Sequence, residues 1–149
     1  METHTDNTLQ ATSNQLAAIQ LSPHFTLGEM LTLDRHPDNL PSLQAVVSLA
    51  YGCQLILEPV RQEVGPLIIN SGFRTPEVNH QVGGVKGSQH LLGQAADLRP
   101  QDPRLFDRLV ALLRRHALTD QLLTGRGWLH LSWKPFGMPR HYVAIDYYG

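Results

Sequence analysis

The chain has 149 residues, 42% of them hydrophobic and 17% charged, with a formal net charge of −1. That length supports one domain with a real core, and the near-neutral charge excludes a strong electrostatic case for nucleic acid or an anionic membrane surface. Its single cysteine, Cys53, excludes an intrachain disulfide and a cysteine-built metal cluster, and reads as a plain core residue in an apolar stretch.

Residues 1–21 mix Thr, Asn, Gln and Ala without a period and read as a flexible lead-in. They contain no basic segment followed by an apolar one, so no secretory signal is expected and synthesis is expected to be cytoplasmic. No stretch approaches the ~18 apolar residues of a membrane span. Residues 22–149 read as a single domain. A helix start is legible at Thr26, an N-cap with Glu29 three residues later as in a capping box, and Phe25 and Met30 complete a hydrophobic staple. After a polar loop at 34–41, residues 42–64 repeat apolar side chains at helical spacing, with Pro59 starting a new turn or kinking the rod and Gly65-Pro66 ending it.

Leu67 to Ser71 reads as a short buried strand, and 72–93, rich in Gly, Asn, Gln and Ser, as a loop carrying chemistry. A second strand spans 94–99, and an amphipathic helix follows from Pro103 to His116, its basic end Arg114-Arg115-His116 solvated. Strands are expected at 121–123 and 128–133, with an edge strand in the tail through Tyr142 and Val143. The expected class is α+β: a small, mostly antiparallel sheet, N-terminal helices, and one helix between the strands that bear the histidines discussed next.

Eight histidines is a high count, so each needs its own reason. His90 stands before the glycine turn at Gly93, and Asp97 lies on the strand that follows, so the turn can bring imidazole and carboxylate to one point. The small pair Ala95-Ala96 leaves room beside them, and His130, alternating in Trp-Leu-His-Leu-Ser-Trp, can supply a third donor. Zinc accepts this set, and a catalytic zinc keeps three protein ligands with one position open. Taken alone, a histidine seven residues before an aspartate is equally a packing histidine of an ordinary α+β domain.

The surrounding residues distinguish the two. The pattern S-G-[YF]-R-[ST]-P-x-x-N-x-x-V-G-G-x-x-x-S-Q-H-x-x-G-x-A-A-D, followed by W-[VL]-H-[VL]-S, runs through Ser71 to Asp97 and Trp128 to Ser132. It resembles the zinc D-Ala-D-Ala carboxypeptidase and L-Ala-D-Glu endopeptidase family of peptidoglycan metallopeptidases, of hedgehog/DD-peptidase fold. The branch it resembles is the single-domain one common in phage and prophage genes, and the likeness covers roughly residues 22–135. The resemblance implies one Zn²⁺ per chain on His90, Asp97 and His130, with Arg74 facing a peptidoglycan peptide. A guanidinium there can hold a substrate carboxylate or a developing oxyanion, or can be a loop ion pair. Ser88 and Gln89 can donate to substrate or to His90, or can shape the loop.

One part of the pattern is broken. Such a hydrolase needs a general base, and relatives place an acid or a histidine a few positions before the last zinc-binding histidine. Here Thr124-Gly125-Arg126-Gly127-Trp128-Leu129 fills a shortened interval with neither. Asp120, ten residues upstream, is the candidate base; His80 or His141 could substitute; or catalysis is lost. The expected function is a zinc peptidase cleaving stem or cross-link peptides as a D,D-carboxypeptidase or endopeptidase, reaching the wall by phage lysis or virion delivery. The alternative is a catalytically silent zinc domain that binds wall peptides or serves among phage structural proteins.

Overall fold

The computed structural model describes residues 13–149. Of the expected 1–21 lead-in, residues 1–12 lie outside the described residues. The rest is not a loose arm: residues 13–17 are helical, Leu16 packs against the core, and Leu21 is buried within it. β1 (Gln20–Ser22) and β2 (Phe25–Thr26) pair antiparallel as a small ribbon.

Thr26 caps α1 (Leu27–Leu31) as its sequence dictates, accepting from the Glu29 amide while Glu29 returns to the Thr26 amide. Phe25 and Met30 are both buried in the core. Ser42 caps α2 (Leu43–Gly52), which runs through a π turn at Cys53–Leu57 into α3 (Glu58–Val64). The π turn explains how Pro59 is tolerated: it falls in the first turn of α3, where no amide donor is required. The whole rod, Leu43–Val64, has 22 residues and a mean hydropathy of 1.3 over its most apolar window, which meets the length and composition of a membrane span. The expectation that no segment does so is thereby corrected: polar residues interrupt the apolar run without lowering its average enough. In the structure Leu49, Cys53, Ile56, Leu57, Val60 and Val64 of this rod face the domain core. Cys53 is fully buried, and burial pushes its thiol pKa up.

The main sheet has the order β3-β4-β6-β5-β7, from β3 (Leu67–Ser71), β4 (Ala95–Pro100), β5 (Gln121–Thr124), β6 (Leu129–Ser132) and β7 (Tyr142–Ala144). All pairings are antiparallel except β5 with β7. The class is α+β, as the sequence implies. One sheet face presents Ile69, Ala96, Leu98, Leu122, Leu129 and Leu131 to a core shared with the long rod and with Leu109 and Leu113 of α5 (Phe106–Arg115). Trp133 seals this core. Its indole N–H donates to the Ser48 carbonyl at 2.8 Å, and only a glycine fits at position 52, where a Cβ would sit 2.3 Å from the ring.

The expected loop at 72–93 is partly helical. α4 (Pro76–Gln81) starts on a Thr75 cap with proline in its first turn, and a 3-10 turn spans Gln89–Leu92. Thr75-Pro76-Glu77 is a helix-start signal that the glycine-rich surroundings masked.

Candidate metal centre

Register alone brings the key strand residues together. Asp97 pairs with His130 across β4 and β6, and with Ser71 across β3 and β4, while Leu123 stands opposite His130 on β5. Residues directly opposite in antiparallel strands share a face, so Ser71, Asp97, His130 and Leu123 form a row on the face away from the core. His90 arrives from above on the 3-10 turn. That turn is capped by Ser88, whose Oγ accepts from the His90 amide, and it ends at Gly93 in the left-handed region at φ 70°.

His90, Asp97 and His130 each offer a donor atom, and these atoms lie within 4.8 Å of one another. Asp97 Oδ1 is 2.9 Å from His130 Nδ1 and 3.3 Å from His90 Nε2. The His90 tautomer is fixed by its other nitrogen: Nδ1 lies 2.6 Å from the Gly72 carbonyl, an acceptor only, so Nδ1 carries the proton. The other ring nitrogen, Nε2, turns toward the carboxylate oxygen that the His130 imidazole also faces. Two imidazoles and a carboxylate converging on one point are a donor set that a divalent cation can take. A tetrahedral zinc with bonds of about 2.0–2.1 Å sets its ligand atoms roughly 3.4 Å apart, so the donor set and its spacing fit that ion. Burial alone would raise the Asp97 pKa; hydrogen bonds from His130 and His90, and their charge, outweigh it and hold the carboxyl well below its usual range.

The second oxygen, Asp97 Oδ2, accepts from Arg74 Nη2 at 3.0 Å. Arg74 Nε donates to Ser71 Oγ and Nη1 to Asn79 Oδ1, so three of its five N–H groups orient the guanidinium within the protein. Burial weakens the hold of Arg74 on its proton, and Asp97 opposes that effect. The Arg74 backbone is equally fixed. The Phe73 amide donates to the Met30 carbonyl and the Arg74 amide to the His90 carbonyl. Fully buried Asn39 bonds the Leu31 and Phe73 carbonyls and the Thr75 amide. Gly72 is required here, since a Cβ would meet the Met30 carbonyl oxygen at 2.2 Å.

Asp120, the expected base, is not brought to this cluster. It is fully buried, and its oxygens accept from the Arg140 amide and guanidinium, Ser132 Oγ and Gln89 Nε2. Burial would raise its pKa, but these bonds, led by Arg140, hold it well below the usual range. A carboxylate so saturated has no lone pair facing the cleft, and its role is to anchor Arg140. Gln89 is also internally engaged: Nε2 reaches Asp120 and Oε1 accepts from Arg140 Nη2 at 3.1 Å, which makes it a strut between strand and turn. Ser88 and Gln89 both line the cleft, but their hydrogen bonds brace the turn. His80 and His141 are exposed and lie outside the cleft lining.

The cleft above the row has a volume of about 710 Å³. Its walls include residues that the sequence reading missed. Trp128 and Tyr148 stack at 4.6 Å between ring centroids and Tyr147 meets Tyr148 edge-on, while Lys134 and Arg140 line another part. Tyr148 is carried there by residues 146–149, whose backbone bonds Thr124 and whose Gly149 carbonyl accepts from Arg126. No local motif announces them: Trp128 stacks on Tyr148 twenty positions later, and Arg140 pairs with Asp120 twenty positions earlier.

Fold and site together define an α+β domain with a candidate mononuclear metal centre in an open cleft. A model of the Peptidase M15 family matches residues 24–132, and the chain belongs to that family. The zinc D-Ala-D-Ala carboxypeptidase of Streptomyces albus G is 37% identical over 71 residues, covering 46% of this chain. The chain matches only 28% of that relative's length.

Proposed function

We propose that the chain is a zinc-dependent peptidase acting on the peptide part of peptidoglycan, as a D,D-carboxypeptidase or an endopeptidase at a D-amino acid bond. The observation that carries this reading is the convergence of His90, Asp97 and His130 beside Arg74 in the cleft of a Peptidase M15 chain. The similarity to a zinc D-Ala-D-Ala carboxypeptidase supports the metal and the substrate class. When bound, zinc supplies Lewis-acid polarisation of a carbonyl and a water of lowered pKa. The protein's own part is positional. The Gly72 carbonyl holds the His90 ring, and Asp97 bridges both imidazoles and Arg74. The two N–H groups of Arg74 without a partner among the described residues are left to grip a substrate carboxylate or stabilise an oxyanion. The same reading includes a phage or prophage setting and a single domain, which takes in residues 13–21 as well as 22–149.

A second reading, a catalytically silent zinc domain that binds wall peptides, is favoured by one observation. Among the described residues, Asp97 is the sole carboxylate in the cleft lining. Tyr148 is the proton-bearing group nearest in character to an acid there; burial, then Asp97, raises its pKa and keeps the phenol protonated.

Metal analysis of purified protein should find about one zinc in the wild type and none in His90→Ala; equal zinc in both sinks the metal assignment. Zinc-loaded protein incubated with purified peptidoglycan should release D-Ala or muropeptides detectable by mass. Release of neither, with retention of the protein on the wall, leaves the silent domain.

A further inference from the structure

The cleft has a second polar end that the metal cluster does not use. Lys134 and Arg140 line it, Arg140 with its side chain half exposed and Lys134 with a third exposed. Both cations lean on one buried acid, Asp120. Arg140 Nη2 pairs with Oδ2 at 2.7 Å, and Lys134 Nζ stands 3.9 Å from Oδ1. Asp120 is already engaged by Arg140, Ser132 and Gln89, so Lys134 has only the long 3.9 Å pairing with it and its ammonium stands at the cleft wall. One carboxylate balances two cations there, in a chain whose overall charge is −1. Positive potential is thereby focused in a concave, partly desolvated site, where it acts most strongly on anions.

We propose that Lys134 and Arg140 form an anion-recognising subsite for a carboxylate on the bound peptide. Lys134 makes the direct contact, and Arg140 is positioned by Asp120. The subsite rests on the peptidase reading and narrows it to acidic peptides. Lys134 lies four residues beyond His130, at most about 14 Å along the chain. An extended peptide with its reacting carbonyl near the metal cluster spans about 10 Å in three residues. The carboxylate therefore sits within about four residues of the reacting bond. The free α-carboxylate of a γ-linked D-glutamate in a stem pentapeptide is such a group.

The test uses two synthetic stem pentapeptides that differ only in whether that α-carboxylate is free or amidated. Calorimetry on zinc-free protein and KM on zinc-loaded protein should both favour the free acid by about tenfold, as a charge-assisted contact provides. The preference should fall toward one in Lys134→Gln and survive in Lys134→Arg. No preference in the wild type, or one that Lys134→Gln leaves intact, overturns the subsite. Cleavage of both peptides without preference removes the subsite and leaves the peptidase. A Lys134-dependent binding preference with no cleavage removes the peptidase and leaves the subsite.

Discussion

Each site residue has a job that its neighbours make testable. Arg74 touches Asp97, Ser71 and Asn79 and still faces the cleft. Arg74→Ala should cost about 10²-fold or more in kcat, the scale of losing an oxyanion donor, with Arg74→Lys recovering only part, since a point charge lacks the fork. Peptide hydrolysis at saturating substrate measures this. Asp120→Asn separates structure from catalysis. If Asp120 anchors Arg140, the variant loses about 2 kcal/mol of stability at neutral pH but keeps its kcat at low temperature; a base would lose kcat outright. The sign of the pH effect follows from the pKa direction. The folded pKa of Asp120 is depressed, so its stabilisation is present above the unfolded value near ~3.9 and is lost as pH falls through the folded one. Urea titrations should therefore show wild type and variant differing at pH 7 and converging below about pH 4.

At the scale of elements, the segment after β3 is the hinge of the site. Asn39 ties the end of α1 to residues 73 and 75, and the Gly72 carbonyl between them orients His90. Asn39→Ala leaves two carbonyls and one amide buried without partners. It should destabilise the protein by about 2–3 kcal/mol and weaken zinc retention, read by denaturation and by competition with a chelator. These relations show what a sequence can disclose. Strands with alternating or β-branched residues and the Thr26 capping box are local patterns and are legible, whereas the His90, Asp97 and His130 set is legible only through the longer motif that surrounds it. Asn39 looks like any polar loop residue, because its worth lies in contacts 34 and 36 positions away. Asp120 likewise reads as a free acid until Arg140, twenty residues later, is seen folded back on it. The π turn escapes periodicity because a five-residue interruption barely shifts the apolar stripe.

For the molecule as a whole, metal and fold are thermodynamically linked. A ligand that binds only the folded state adds roughly 4 kcal/mol at a thousandfold excess over its Kd, which for this size of domain is about 10 °C in Tm. Zinc should raise Tm by that order in the wild type, and His90→Ala should erase the increment, as calorimetric scans would show. The register pair Asp97 and His130 joins strands 33 residues apart in sequence, and the His90 ring is oriented by the Gly72 carbonyl, 18 residues before it. His130 joins Asp97 only when β4 and β6 pair, and the His90 ring is held only once residue 72 docks on it, so the full set is expected to assemble late in folding. Zinc should therefore slow unfolding while leaving the refolding rate nearly unchanged. Stopped-flow chevrons with and without zinc would show one limb moving and the other still; a faster refolding limb would mean that the donors gather before the strands do.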